Sequence, residues 1–491
     1  MSGLARRGLW TVGARLVSAG VGFGLTPYVV GVLGPERFGL WSLVAVAVNY
    51  AGFLDLGVSF AYVRELGRHL GAGRPDRARA ALSSGTLFYL AFLGVVVPAA
   101  WVAAPVLLPL LGVGPADLPL ALRVFRGVAL VLAVRQATAG WRGLLLAAER
   151  HEAAARVVMV SALLHGGLTV WVLRTGWGLD GLVAEALIQA GFCAAAYGAL
   201  CRKHVPSVRL VPQWVRLSDL KPLVSYGLRL QGTALADLVN GQVDKLLLGA
   251  FVGLAAVGHY EVGAKIPLQA AWLPWFLAMP AVAAAARHAG RAAGVLEEAW
   301  RLTVPLGLPL GLLLLLEPGT LLTLWMGPGA WDPASAAVLS ALAAFPLASA
   351  LTSPVRAVLR GSEVPRLELR AGLLAAGANA LGSVLLVPRF GLPGALSATV
   401  TAAVAAQAGF LWAGLRRVYG PRIPWTTLGG PVARAVLAAA AVWTVGSVLP
   451  APGGRGAAAL RLAFAAALLF APSVLERVLI GSRVRAPEAV R

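Results

Sequence analysis

Apolar runs and short polar breaks alternate along the whole chain. A helix needs about 20 apolar residues to cross a bilayer. Runs of that kind lie near 9–33, 39–63, 81–111, 118–141, 154–174, 180–201, 222–251, 256–284, 302–326, 334–359, 369–388, 392–415, 431–449 and 457–480. The pattern predicts an all-α polytopic membrane protein of about fourteen transmembrane helices. The breaks are of two kinds. One set carries Arg64, Arg68 and Arg74, then Arg142, Arg150 and Arg156, then Arg202, Lys203 and Arg209, and continues so to Arg483. The other is almost uncharged, as in Gly112-Val113-Gly114-Pro115, Gly253-Leu254-Ala255-Ala256 and Gly327-Pro328-Gly329. Lys and Arg stay on the cytoplasmic side during insertion. The alternation predicts that every run crosses, with both termini cytoplasmic, in the bacterial inner membrane.

Composition agrees with that pattern. The 491 residues are 58% hydrophobic and 13% charged, against about 25% charged in soluble domains. A net charge of +21 would suit nucleic acid if it were clustered. Here it is spread over the cytoplasmic breaks, which fits topology and anionic lipid instead. Cys193 and Cys201 have no metal-ligand spacing and read as small hydrophobes. No cleavable leader is read in the first run.

The sequence repeats at an offset of about 214 residues. Gly13-Ala14-Arg15-Leu16 recurs as Gly227-Leu228-Arg229-Leu230, Gly178-Leu179-Asp180-Gly181 as Gly391-Leu392-Pro393-Gly394, and Gln189-Ala190-Gly191-Phe192 as Gln407-Ala408-Gly409-Phe410. The expected organisation is a six-helix lobe over 1–202, a cytoplasmic linker over 203–220, a second six-helix lobe over 221–420, and two extra helices with a tail over 421–491. Six spans return the chain to its starting side. The lobes should therefore be related by a pseudo-twofold axis along the membrane normal, a transporter plan with its site between the repeats.

Ionisable groups at membrane depth are costly and face a cavity or a partner. In the seventh span Arg229, Thr233, Asp237, Asn240 and Asp244 share one face. That face reads as a cavity wall or as a packing network. Arg15 holds the equivalent place in the first span. Asn49 and Asp55 lie in the second, where Asp55 needs a cationic partner. Arg135 and Arg142 share a face suited to a phosphate; Glu185 and Gln189, one turn apart, suit sugar hydroxyls or a proton. Lys265 follows Glu261 at the spacing of an intrahelical ion pair. No site for bond-making chemistry stands out. His165 is the one histidine inside a span and has no Cys or carboxylate at ligand spacing, and no nucleotide-binding loop is present. No metal or cofactor is called for.

Leu33-Gly34-Pro35-Glu36-Arg37-Phe38-Gly39-Leu40-Trp41, Asp55-Leu56-Gly57 with Arg64-Glu65, and Gln242-Val243-Asp244-Lys245-Leu246-Leu247-Leu248-Gly249 with Val257-Gly258-His259-Tyr260 resemble polysaccharide-biosynthesis flippases of the Wzx type. Those belong to the multidrug/oligosaccharidyl-lipid/polysaccharide (MOP) exporter superfamily. The resemblance covers most of residues 1–420. It implies two six-helix bundles around a central cavity and a flippase that moves undecaprenyl-pyrophosphate-linked oligosaccharide to the outer leaflet by alternating access, for surface polysaccharide. It implies Arg15 and Arg229, then Arg135, as contacts to the pyrophosphate, with Asp55, Asp237, Asn240 and Asp244 beside them. Asn49, Glu185, Gln189, Lys245 and Lys265 are secondary candidates. Coupling to a proton gradient, a sodium gradient or the membrane potential stays open. Partners are the lipid-linked oligosaccharide, membrane lipid and other polysaccharide-assembly proteins. A multidrug/cation antiporter or lipid II flippase of the same superfamily is the nearest rival. A membrane-embedded polymerase or ligase is disfavoured by the short outer breaks.

Overall fold

The computed structural model describes the backbone of residues 3–52, 58–210, 217–287, 289–362, 366–421, 423, 426–448 and 452–484. Among the described residues there are helices and turns but no strand. The helices are α1 (Gly3–Gly52), α2 (Val58–Gly71), α3 (Pro75–Leu110), α4 (Leu118–Ala137), α5 (Ala139–Ala147), α6 (His151–Arg174), α7 (Gly178–His204), α8 (Leu217–Phe251), α9 (Leu254–Ala270), α10 (Trp272–Ala278), α11 (Pro280–Arg287), α12 (Ala292–Leu316), α13 (Pro318–Met326), α14 (Pro333–Leu342), α15 (Ala344–Gly361), α16 (Arg366–Tyr419), α17 (Thr426–Val448) and α18 (Arg455–Val484). Eight helical stretches among the described residues are long and apolar enough to cross a membrane. On α3, Val95, Val102, Val106 and Leu110 form an exposed row on one face. Such a row suits lipid, not water.

Two of these stretches each hold two expected spans. The turns expected near Gly34 and Gly391 shrink to one residue of non-helical backbone, at φ 77° in α1 and φ 58° in α16. The repeat is visible in these turns. Gly34 and Gly253, Gly112 and Gly327, and Gly178 and Gly391 pair at the repeat offset, and all six have positive φ. A side chain is disfavoured there, so glycine makes the sharpest reversal open to the chain.

The chain packs as two compact units, residues 1–258 and 259–491. In the first, Tyr62, Leu66, Leu82, Tyr89 and Leu144 form a buried core with Leu223 of α8. Its helices also cross by direct backbone contact. A methyl group at Gly39 would lie 1.9 Å from the Leu254 carbonyl oxygen, and one at Gly258 2.2 Å from the Pro35 carbonyl oxygen. Pro35 and Gly39 stand to Leu254 and Gly258 as repeat equivalents, so the contact is reciprocal. Two segments far apart in sequence thus meet through one glycine each, Gly39 and Gly258, and such residues let membrane helices approach closely.

In the second unit α12 packs on α15. Trp300 Nε1 donates to the Leu351 carbonyl at 2.9 Å and Thr303 Oγ1 to that of Ala350 at 3.2 Å. α17 and α18 close over α12, where Ala438, Val442, Ala465 and Leu469 cover Leu312, Leu313 and Leu316. Arg461 of α18 then donates to Glu317 twice, from Nε to Oε2 at 2.8 Å and from Nη2 to Oε1 at 3.0 Å. Its Nη2 also donates to the Gly446 carbonyl at 3.1 Å, and Thr320 Oγ1 donates to Glu317. A two-point bond of this type fixes geometry as well as charge. The extra helices are therefore keyed to the second unit by one buried ion pair.

Gly39→Ala should lower the melting temperature of the detergent-solubilised full chain, by overpacking worth about 1–3 kcal/mol. Gly20→Ala, where nothing lies within 4 Å of the added methyl, should leave it unchanged or raise it. Equal behaviour of the two variants would remove the close crossing. Glu317→Ala should cost about 3–5 kcal/mol, because it strands a buried guanidinium. It should also open the α16–α17 connection to limited proteolysis, while the double change Glu317→Met with Arg461→Met restores much of the loss.

Candidate functional site

Within the first unit, polar side chains from α4, α6 and α7 meet inside an apolar bundle. On α6, Ser161, His165, Thr169 and Val172 share a face at spacings of four, four and three. Ser161, Thr169 and Val172 are buried, whereas Val160, Leu163 and Trp171 on other faces are exposed. His165 thus sits on the inward face. Glu185 and Gln189 lie one turn apart on α7, and Arg135 lies in the last turn of α4.

Two linked layers result. In one, Arg135 Nη2 donates to Gln189 Oε1 at 2.9 Å, and Gln189 Nε2 donates to the Ser161 carbonyl at 3.1 Å. One turn further along α6 and α7, His165 Nδ1 bonds Glu185 Oε1 at 2.9 Å, with Thr169 Oγ1 at 3.4 Å from the same nitrogen. α1 runs alongside α6. Arg156 stands over the Trp10 ring at 5.6 Å, and a methyl at Gly166 would meet Val21 at 3.2 Å. That register puts Arg15 of α1 at about the depth of Ser161. Both Arg15 and Arg135 are exposed.

Electrostatics account for the inner layer. An ionised side chain at the centre of a membrane helix costs about 2.5–3.5 kcal/mol on insertion scales. The Glu185 side chain is 2% exposed, and its ion-pair partner among the described residues is the His165 imidazole, itself 38% exposed. Gln189 holds the Arg135 guanidinium, which stays exposed.

The remaining expected residues fall as follows. Asp244 and Lys245 are both buried in α8, and Asp244 lies within electrostatic reach of Tyr50. Asn49 is exposed on α1. Arg229, Asp237 and Asn240 lie on the helical backbone of α8, but their side chains are outside the described residues, and Asp55 is outside them altogether. Lys265 is half-buried on α9 in the second unit. At the start of α7, Arg123 binds Asp180 through Nε at 3.2 Å and Nη2 at 3.0 Å.

Arg135 and Arg142 lie on either side of a short break, since α4 ends at Ala137 and α5 begins at Ala139, and both reach α7. Thr138 Oγ1 donates back to the Val134 carbonyl at that break. Arg135 turns to Gln189 and Arg142 to the Tyr197 hydroxyl. Sequence reasoning missed the acid partner of His165, because it looked for carboxylates at metal-ligand spacing along one segment. A buried cluster in the second unit was missed as well. Thr399 Oγ1 and Ser383 Oγ donate to Asn379 Oδ1 at 3.1 and 3.3 Å. Its only linear signal is Asn379 and Ser383 four apart in an apolar run. Among the described residues no three His, Cys, Asp or Glu side chains gather as a metal site.

The fold has solved counterparts. The structure of lipid II flippase MurJ in an inward closed conformation superposes with a TM-score of 0.74 at 11% identity, covering 98% of this chain and 100% of that one. An inward-facing multidrug resistance MATE family transporter of the MOP superfamily superposes with a TM-score of 0.61 at 16% identity, covering 82% and 94%. At these identities the likeness is one of fold: that of the MOP transporters. No curated protein matches the chain in sequence. A family model does, over residues 4–285, more than half of the chain. The resemblance carried by the motifs at Gly34, Asp55 and Asp244 lies inside that match, and the chain belongs to the polysaccharide biosynthesis protein family.

Proposed function

We propose that this protein is a flippase that carries undecaprenyl-pyrophosphate-linked oligosaccharide from the inner to the outer leaflet of the bacterial cytoplasmic membrane by alternating access. The observation that carries the reading is Arg135, an exposed guanidinium in an apolar span held by the Gln189 amide; Arg15 of α1 is exposed at a similar depth. The head of such a substrate is anionic and heavily hydrated, and bare hydrocarbon cannot replace its water. Guanidinium is suited to the task, since its planar fork binds phosphate at two points and stays charged. Amide and hydroxyl groups of the same layer suit sugar hydroxyls. The tail needs no site of its own, because lipid already solvates it. Membership of a polysaccharide biosynthesis family and the MOP fold support the assignment, as does the MurJ likeness.

In this reading Arg229 serves from the repeat-equivalent place of Arg15, and Asp55, Asp237, Asn240 and Asp244 orient the arginines or take a coupling ion. Both termini lie in the cytoplasm, as the arginine-rich breaks require.

Arg15→Ala, Arg135→Ala and Arg229→Ala should each reduce transport on the order of 10- to 100-fold, the worth of one charge-assisted hydrogen bond of about 1.5–3 kcal/mol. The measurement is surface polysaccharide in a strain lacking its own flippase, with expression of each variant checked. Normal polysaccharide from all three would overturn the assignment. Changed drug sensitivity without polysaccharide rescue would point to a drug/cation antiporter instead.

A further inference from the structure

We infer that Glu185 and His165 form a proton-binding site whose loading tightens the hold of the neighbouring arginine layer on an anionic headgroup. The inference rests in part on the reading above, since it names a regulator of that site.

The argument begins with unequal access. The Glu185 carboxylate is buried, whereas the His165 ring is partly open, on the inward face of α6 and away from the apolar row. Protons therefore exchange through the imidazole. Its Nδ1 is engaged by the Glu185 carboxylate at 2.9 Å, so the incoming proton adds at Nε2. Before loading, the pair is a carboxylate beside a neutral imidazole, with net charge −1. Afterwards it is a carboxylate–imidazolium pair, or its carboxyl–imidazole tautomer, with net charge zero.

The surrounding charges do not duplicate this role. On α4, Arg135 reaches Gln189 one turn away, Arg123 is bound to Asp180 in the first turn of α7, five residues before Glu185, and Arg126 is exposed. On α5, Arg142 is engaged with Tyr197, three turns further along α7. On α1, Arg15 lies one turn below the pair, and the Tyr28 hydroxyl lies above it, 3.5 Å from the Val170 carbonyl. On α6 itself Arg156 is occupied by Glu152 and Trp10.

Coupling follows from charge. The unloaded pair places a negative charge one turn from the Arg135–Gln189 layer. There it competes for the guanidinium and repels a phosphate. Loading one proton removes that charge. By linkage, an anion bound at the arginines must also strengthen proton binding.

Two measurements on the full-length protein in lipid test this. The first is an infrared pH titration. A carboxyl or carboxylate band should change as the pH is lowered, vanish in Glu185→Gln and be altered in His165→Gln. Absence of a titrating Glu185 band would overturn the inference. The second is binding of farnesyl pyrophosphate, a short polyprenyl pyrophosphate probe. Between pH 8 and pH 6 wild-type affinity should rise about fivefold or more relative to the double variant Glu185→Gln with His165→Gln, a comparison that cancels the probe's own titration. An identical pH dependence in the two proteins would also overturn it. A wild-type protein that binds no probe at either pH, yet shows the titrating band, would overturn the anion linkage and the flippase reading. The proton site alone would then stand.

Discussion

Hydrocarbon offers no hydrogen-bond partner, and every other feature of this protein answers to that fact. Each backbone amide must bond within its own helix, so the described residues form helices without strands. Reversals inside the apolar stretches are reduced to single glycines at Gly34 and Gly391. Polar side chains at depth meet a partner or cluster: Glu185 with His165, Glu317 with Arg461, and Asn379 with Ser383 and Thr399.

Lipid contributes no hydrophobic drive for one helix to bury against another. Close packing of small residues has to take that place. The reciprocal contact of Gly39 with Leu254 and of Gly258 with Pro35 brings two repeat-equivalent segments together with no side chain between them. A crossing made of backbone is stiff and short. It ties the segments at one point while the rest of each helix stays available for movement. The pair between Glu317 and Arg461 works differently: charge and geometry join α18 to the second unit at one register.

The few arginines inside apolar spans gain meaning against this background. Most of the positive charge sits in breaks, where orientation in the membrane explains it. Arg15 and Arg135 lie beside a network that satisfies its own polar atoms, and both keep donors exposed. Paying for such groups inside a membrane protein makes sense when something anionic must be met there.

Much of this was legible from the chain. Span positions follow from run length, which the bilayer thickness sets. The repeat follows from residue matches, and the glycines at its turns have the same backbone sign in both halves. Arg15, Arg135, Glu185 and Gln189 were legible as polar exceptions in apolar runs. What the sequence alone did not settle was who partners whom. Helical periodicity describes one helix. It says nothing across a turn, and His165 and Glu185 are brought together by the reversal at Gly176 and Gly178. The sequence by itself determined a polytopic helical protein with a repeat and a small set of buried polar groups, because hydrophobic length and period are local properties. Only the tertiary structure decided that the imidazole meets the carboxylate and that Gln189 holds Arg135, because those bonds depend on the rotation and depth at which neighbouring helices pack.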